Sequence, residues 1–154
     1  MNAQVWIAIL VGLAATINDL ARREIANWIP VTALVAGLGW QIGQHGWHGI
    51  LYSLAGAASG FGVFLIFYLL GGMGGGDVKL MAGFGSLLGA GQLLEAALWT
   101  AGVGGILALG VLGWRTFRRM MWPGQVLEAG PRSESIPYAP AIALGVWLSL
   151  VPKG

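Results

Sequence analysis

The sequence has no cysteine and only fourteen charged side chains in 154 residues, eight Lys or Arg and six Asp or Glu. Without cysteine there is no disulfide, no thiolate metal site and no cysteine nucleophile. The shortage of charge, 9% of the chain against about 25% in soluble domains, leaves too few polar groups to cover a compact core. With 56% hydrophobic residues, lipid is the solvent that fits, and the chain reads as an integral membrane protein that crosses the bilayer several times. The net charge of +2 and pI near 9.4 make no basic face, because the basic residues are scattered between apolar runs. Nucleic acid is therefore not expected as a partner. The opening Met1-Asn2-Ala3-Gln4 lacks the positive region of a secretory signal, so Val5 onward reads as a retained first span. His45 and His48 share a short loop, but no third ligand stands near them in sequence and no metal is assigned.

What the chain does have is glycine, 27 residues of it. Small residues let membrane helices approach where no hydrophobic force draws them together, and Gly56/Gly60 and Gly85/Gly89 have the spacing of that device. Charge and Gly or Pro punctuation mark six apolar segments, roughly 3–20, 28–43, 49–70, 78–91, 93–113 and 136–151. The expectation is an all-α, polytopic membrane protein of six transmembrane helices in a single membrane-embedded domain, 1–154. If six spans alternate, Arg22, Arg23, Lys79, Arg115, Arg118, Arg119 and Arg132 fall on one side and only Lys153 on the other. That bias places the basic loops in the cytoplasm and both termini outside. The run Trp114 to Trp122, WRTFRRMMW, suits the cytoplasmic interface.

Two acids stand out against this background. A carboxylate inside a membrane helix costs about 2.5–3.5 kcal/mol on insertion scales, so such acids usually have work to do. Asp19 ends span one; its structural alternative is an interfacial pairing with Arg22 or Arg23. Asp77 follows Gly71-Gly72-Met73-Gly74-Gly75-Gly76 and opens a helical stretch; its structural alternative is an ordinary N-cap. A helix from Asp77 to Ala90 rises only about 21 Å, short of a hydrocarbon core of about 30 Å. Part of the glycine loop then lies below the membrane surface, where irregular backbone survives only inside protein or beside a wet cavity. Both acids belong to the cytoplasmic side. If they meet, one keeps a proton while the other stays basic, which is the chemistry of aspartic proteolysis and requires no metal or organic cofactor.

The run Asp19-Leu20-Ala21-Arg22-Arg23-Glu24-Ile25-Ala26-Asn27-Trp28-Ile29 resembles the first aspartate motif of type IV prepilin peptidases, with Ala26 in place of the proline of an Ile-Pro-Asn turn. Gly74-Gly75-Gly76-Asp77-Val78-Lys79-Leu80 is similar to the GxGD motif of the same family. Ser135 to Gly145 looks like its final span, for packing or substrate positioning. The resemblance implies a GxGD-type intramembrane aspartic endopeptidase with Asp19 and Asp77 as the catalytic pair. It also implies a pilin or pseudopilin precursor as substrate, with a basic leader cut at the cytoplasmic face. Gly74, Gly75, Gly76, Lys79, Arg23, Asn27 and Tyr138 are then expected to bind or position that substrate. Larger members carry a cytoplasmic region with paired cysteines and methylate the new N-terminus. This chain has neither that region nor any cysteine, so methylation is not expected, and it is similar to the short, peptidase-only branch found with Flp or tight-adherence pili and with archaeal-type systems.

Of the remaining polar residues, Lys79 is read as orienting substrate or marking the boundary rather than pairing with Asp77, and Asn18 as bonding a neighbouring helix. A homo-oligomer is compatible with the sequence. Two other functions stay open at this level: a proton- or cation-coupled transporter, since paired intramembrane acids also carry ions, and a noncatalytic subunit of a pilus or secretion machine.

Overall fold

The computed structural model describes residues 3–121 and 138–151, and over these the chain is helical with no strand. The helices are α1 (Ala3–Arg22), α2 (Trp28–His45), α3 (His48–Leu69), α4 (Gly75–Met121) and α5 (Ala139–Ser149). Arg132 and Lys153, which entered the orientation reading, lie outside the described residues, as do Trp122 and residues 135–137 of the late motif.

The distribution of side-chain size follows from lipid as solvent. On α1 the buried face is Ala8, Gly12, Ala15 and Asp19, while Trp6, Leu10, Ile17 and Leu20 are each more than half exposed. Spacings of three and four put each set on one face. A soluble helix would turn its large apolar residues inward; here small residues face the protein and large ones face out. Three helices are long and apolar enough to cross a membrane: Ala3–Arg22, His48–Leu69 and Gly75–Arg118. Of the rest, α5 has 11 residues, and α2 carries Gln41, Gln44 and His45 in its last turn and a half.

Where two separate spans, 78–91 and 93–113, were expected, the structure has one element interrupted at Gly89, whose φ of 73° and ψ of 167° are not helical. Only glycine adopts that backbone cheaply. The contacts of the two arms show that the chain reverses there. The first arm starts beside the Asp19 end of α1 and finishes at Leu87, whose carbonyl meets Gln4 at the other end of α1. The second arm starts with Gln92 beside Gln4, passes Gly145 at Thr100 and reaches Tyr138, next to the Asp19 end, at Gly104. Residues 105–121 continue past that level for about 25 Å, carrying exposed Trp114, Phe117 and Met120 to the same end as the acids.

A break inside a membrane helix frees carbonyls that must find donors. Gln4 Nε2 and Gln41 Nε2 each donate to the Leu87 carbonyl oxygen at 3.1 Å. Gln41 is buried, so Gln41→Leu should cost about 1–3 kcal/mol, read as a lowered unfolding midpoint in denaturant; an unchanged midpoint would mean that Gln4 alone suffices.

The first arm of α4 is the centre of the bundle, with Leu80, Met81, Phe84 and Leu87 fully buried. It is held from both sides by backbone approach. A Cβ on Gly56 of α3 would overlap the Gly85 carbonyl, one on Gly85 would overlap the Gly56 carbonyl, and one on Gly60 would lie 2.6 Å from the Met81 carbonyl oxygen. On the α2 side a Cβ on Gly37 would sit 2.7 Å from the Ser86 carbonyl carbon, and one on Gly83 2.8 Å from Ala33 Cβ. Ser86 crosses the same seam: its hydroxyl donates to the Leu34 carbonyl at 2.9 Å and lies 2.6 Å from Ser53 Oγ.

Candidate active site

The first acid is placed by the end of α1. Asp19 falls on the small-residue face, four positions after Ala15, and is 7% exposed. One turn later the helix stops at Arg23, whose φ is +53° and whose N–H donates to the Asp19 carbonyl oxygen at 2.7 Å. A left-handed residue after a helix is usually glycine, because a Cβ there costs roughly 1–2 kcal/mol. Of two variants that both lack the guanidinium, Arg23→Gly should therefore be more stable than Arg23→Ala by about 1 kcal/mol. Chemical unfolding of the pair reads this directly; equal stability would show the backbone unstrained. The Arg23 charge acts on Asp19.

The second acid is placed by the start of α4. The helix begins at Gly75, earlier than the sequence suggested. Asp77 is therefore its third residue and not the N-cap considered above. Its Oδ2 accepts the Gly74 N–H at 3.1 Å, and its own N–H donates to the Gly74 carbonyl at 3.1 Å, one half of a capping box. The glycines matter for approach: a Cβ on Gly76 would be 3.1 Å from Ile25 Cβ, and one on Gly75 would be 3.6 Å from the Tyr68 ring. The turn between α1 and α2 thus rests directly on the loop that presents Asp77. Lys79 Nζ donates to Asn27 Oδ1 at 3.0 Å, tying the same two segments.

Asp19 and Asp77, 58 positions apart in sequence, line one cavity of about 680 Å³ together with Arg23, Asn27, Gly74, Gly75, Gly76 and Lys79. The carboxylates are within electrostatic range of each other. Tyr138 is not in this lining; its ring lies against Gly104 on the second arm of α4. Asn18 was expected to bond a neighbouring helix; its side-chain oxygen is buried and has no hydrogen-bond partner among the described residues. Sequence reasoning passed over Glu24 on the first turn and Phe61, Leu65 and Tyr68 on α3, all of which line the cavity. The last three recur at spacings of four and three, which is one helical face; that pattern was legible, but nothing in it marked the face as pocket rather than lipid contact. Asp19 has a further partner not visible in sequence, the Ala139 N–H, which donates to its Oδ2 at 3.1 Å from 120 positions away.

Two carboxyl groups in one partly enclosed cavity with both polar and apolar lining can serve as a general acid and a general base. At the opposite end of the bundle a second cavity of about 370 Å³ is lined by Gln4, Gln41, Gln44 and Gln92 with His45 and Tyr52, with no acid among the described residues that line it. Comparison with the curated proteins and with the solved structures gave no match. A family model, described as the type IV leader peptidase family, matches residues 6–109. That match spans both acid-bearing segments and more than half of the chain, and it gives this apolar helical bundle the general role of a leader peptidase. By that match, and with the prepilin peptidase resemblance of its two aspartate motifs, the chain belongs to the type IV leader peptidase family.

Proposed function

We propose that this protein is an aspartic endopeptidase of the inner membrane that removes the leader from type IV, Flp-like prepilin or pseudopilin precursors at the cytoplasmic face. The observation that carries the reading is the meeting of Asp19 and Asp77 in one cavity at the end of the bundle where Arg22, Arg23 and Lys79 also lie. The reversal of α4 at Gly89 supports six crossings with both termini outside, since it turns one continuous element into two antiparallel passes. Lys and Arg gathered at the acid end support a cytoplasmic site.

In this reading the ionised carboxylate takes a proton from water as the water oxygen attacks the scissile carbonyl carbon. The protonated carboxyl group donates to the carbonyl oxygen as charge develops on it. The tetrahedral intermediate collapses as a hydroxyl returns its proton to the second carboxylate, the C–N bond breaks, and the proton taken from water is delivered to the departing nitrogen, which restores the starting pair. The apolar wall of Ile25, Phe61, Leu65 and Val78 suits the start of a hydrophobic substrate helix, and the polar floor receives the peptide bond. Methylation of the new N-terminus is left out of the proposed activity, in keeping with the short branch that the chain resembles. The test is incubation of the purified protein with a precursor pilin and mass measurement of the product. A loss equal to the leader is expected, and an intact precursor would sink the proposal.

A further inference from the structure

An α-helix leaves its first four N–H groups without partners inside the helix, and an unmet N–H is costly where water is scarce. The start of α5 has few ways to meet that demand. Tyr138, in the cap position, makes no side-chain capping bond. Pro140 has no N–H, and the N–H of Ile142 is already taken by the Tyr138 carbonyl at 3.0 Å. The N–H of Ala139 is met from another helix altogether, by Asp19 Oδ2 at 3.1 Å in a buried bond. Further along, Trp147 Nε1 donates to the Ala8 carbonyl at 3.0 Å, and the Trp147 and Ala143 side chains press on Gly12 so closely that a Cβ there would be 2.9 Å from the indole. The pairing of α1 with α5 is fixed along its length, and its last contact is one of the two cavity acids.

We propose that the backbone amide of Ala139 is a positioning group for the active site. It holds Oδ2 of Asp19, fixes the rotation of the carboxylate toward the cavity shared with Asp77, and leaves the chemistry to the other oxygen. The inference rests on the proteolytic reading above and extends it to α5, which lies outside the residues matched by the family model. It also gives α5 a role in turnover, although none of its residues lines the cavity.

The test replaces Ala139 of the full chain with lactic acid by nonsense suppression, which exchanges the N–H for an ester oxygen and keeps the side chain. With a precursor pilin in lipid–detergent micelles, kcat should fall on the order of 10- to 100-fold while KM stays within about twofold. Ala139→Gly, which keeps the N–H, should remain within about threefold of the parent kcat, since geometry is retained. An ester protein with parental kcat, or a glycine variant as slow as the ester, would overturn the assignment. A second measurement needs no turnover: hydrogen exchange at the Ala139 amide should speed up on the order of 10-fold in Asp19→Ala, and unchanged exchange would overturn the contact itself. A parent protein that leaves every precursor intact would instead sink the proteolytic reading, and the exchange result would still report on the contact separately.

Discussion

Asp77→Asn is expected to lower the rate of leader removal by about 10⁴-fold in a protein that still inserts and folds. The amide retains an oxygen for the Gly74 N–H, so the capping bond at the start of α4 survives, but it can neither hold nor release the proton that the reaction moves. Such a loss corresponds to about 5.4 kcal/mol of transition-state stabilisation. Asp19→Asn should behave alike, since its remaining carbonyl oxygen can still accept from Ala139. In the proposed mechanism the two acids act as a unit, so the double variant should be hardly slower than either single one. The measurement is single-turnover cleavage of a precursor pilin, with insertion checked by membrane extraction. Normal turnover by either single variant would remove that acid from the mechanism. Asp19→Ala is the poorer probe, because it also strips the start of α5 of its cap.

The second large effect lies away from the chemistry. Gly85→Val should destabilise the bundle by about 3 kcal/mol or more, to the point where little protein accumulates in the membrane. Its Cβ would run into the Gly56 carbonyl, and a backbone atom in a packed helix cannot step aside as a side chain can. The strain would push α3 from the arm that carries Asp77, so what protein survives should also be slow. Gly62→Ala is the matched control: a Cβ there meets nothing within 4 Å, and in a helix interior the change should add roughly 0.5–1 kcal/mol of stability. A Gly85→Val protein with a parental unfolding midpoint would mean that the seam is far softer than its backbone contacts imply.

Sequence reasoning reached the parts of this molecule that depend on local spacing. Gly56, Gly60, Gly85 and Gly89 could be picked out because close helix approach needs small residues one turn apart; which pairs would face each other depends on the three-dimensional arrangement. The Asp19 and Asp77 segments could be picked out because charge is expensive in lipid. The break at Gly89 falls close to the gap expected between 78–91 and 93–113, but its form was not legible, since a glycine in a glycine-rich run gives no sign that its φ will be positive. Gln4 and Gln41 drew no attention because their target, the Leu87 carbonyl, becomes an unmet acceptor only after that break has formed. The Ala139 amide was beyond reach for a related reason: backbone donors have no sequence signature, and alanine says nothing about where its N–H points. The start of α4 was placed late because three consecutive glycines are poor helix formers, and only the Asp77 bond back to Gly74 shows why the turn forms so early.

The glycine seams also hold one acid more firmly than the other. With carbonyls of α2 and α3 seated against the first arm of α4, that arm can neither slide nor roll without lifting whole backbones past each other, so Asp77 is the fixed jaw of the pair. The opposite jaw rides on α1, which is clasped to α5 through Trp147 and Ala139. In the proposed peptidase, any tightening of the gap between the two acids would therefore fall to the α1 end, since α5 is itself seamed to the second arm of α4, where a Cβ on Gly145 would lie 2.5 Å from the Thr100 nitrogen.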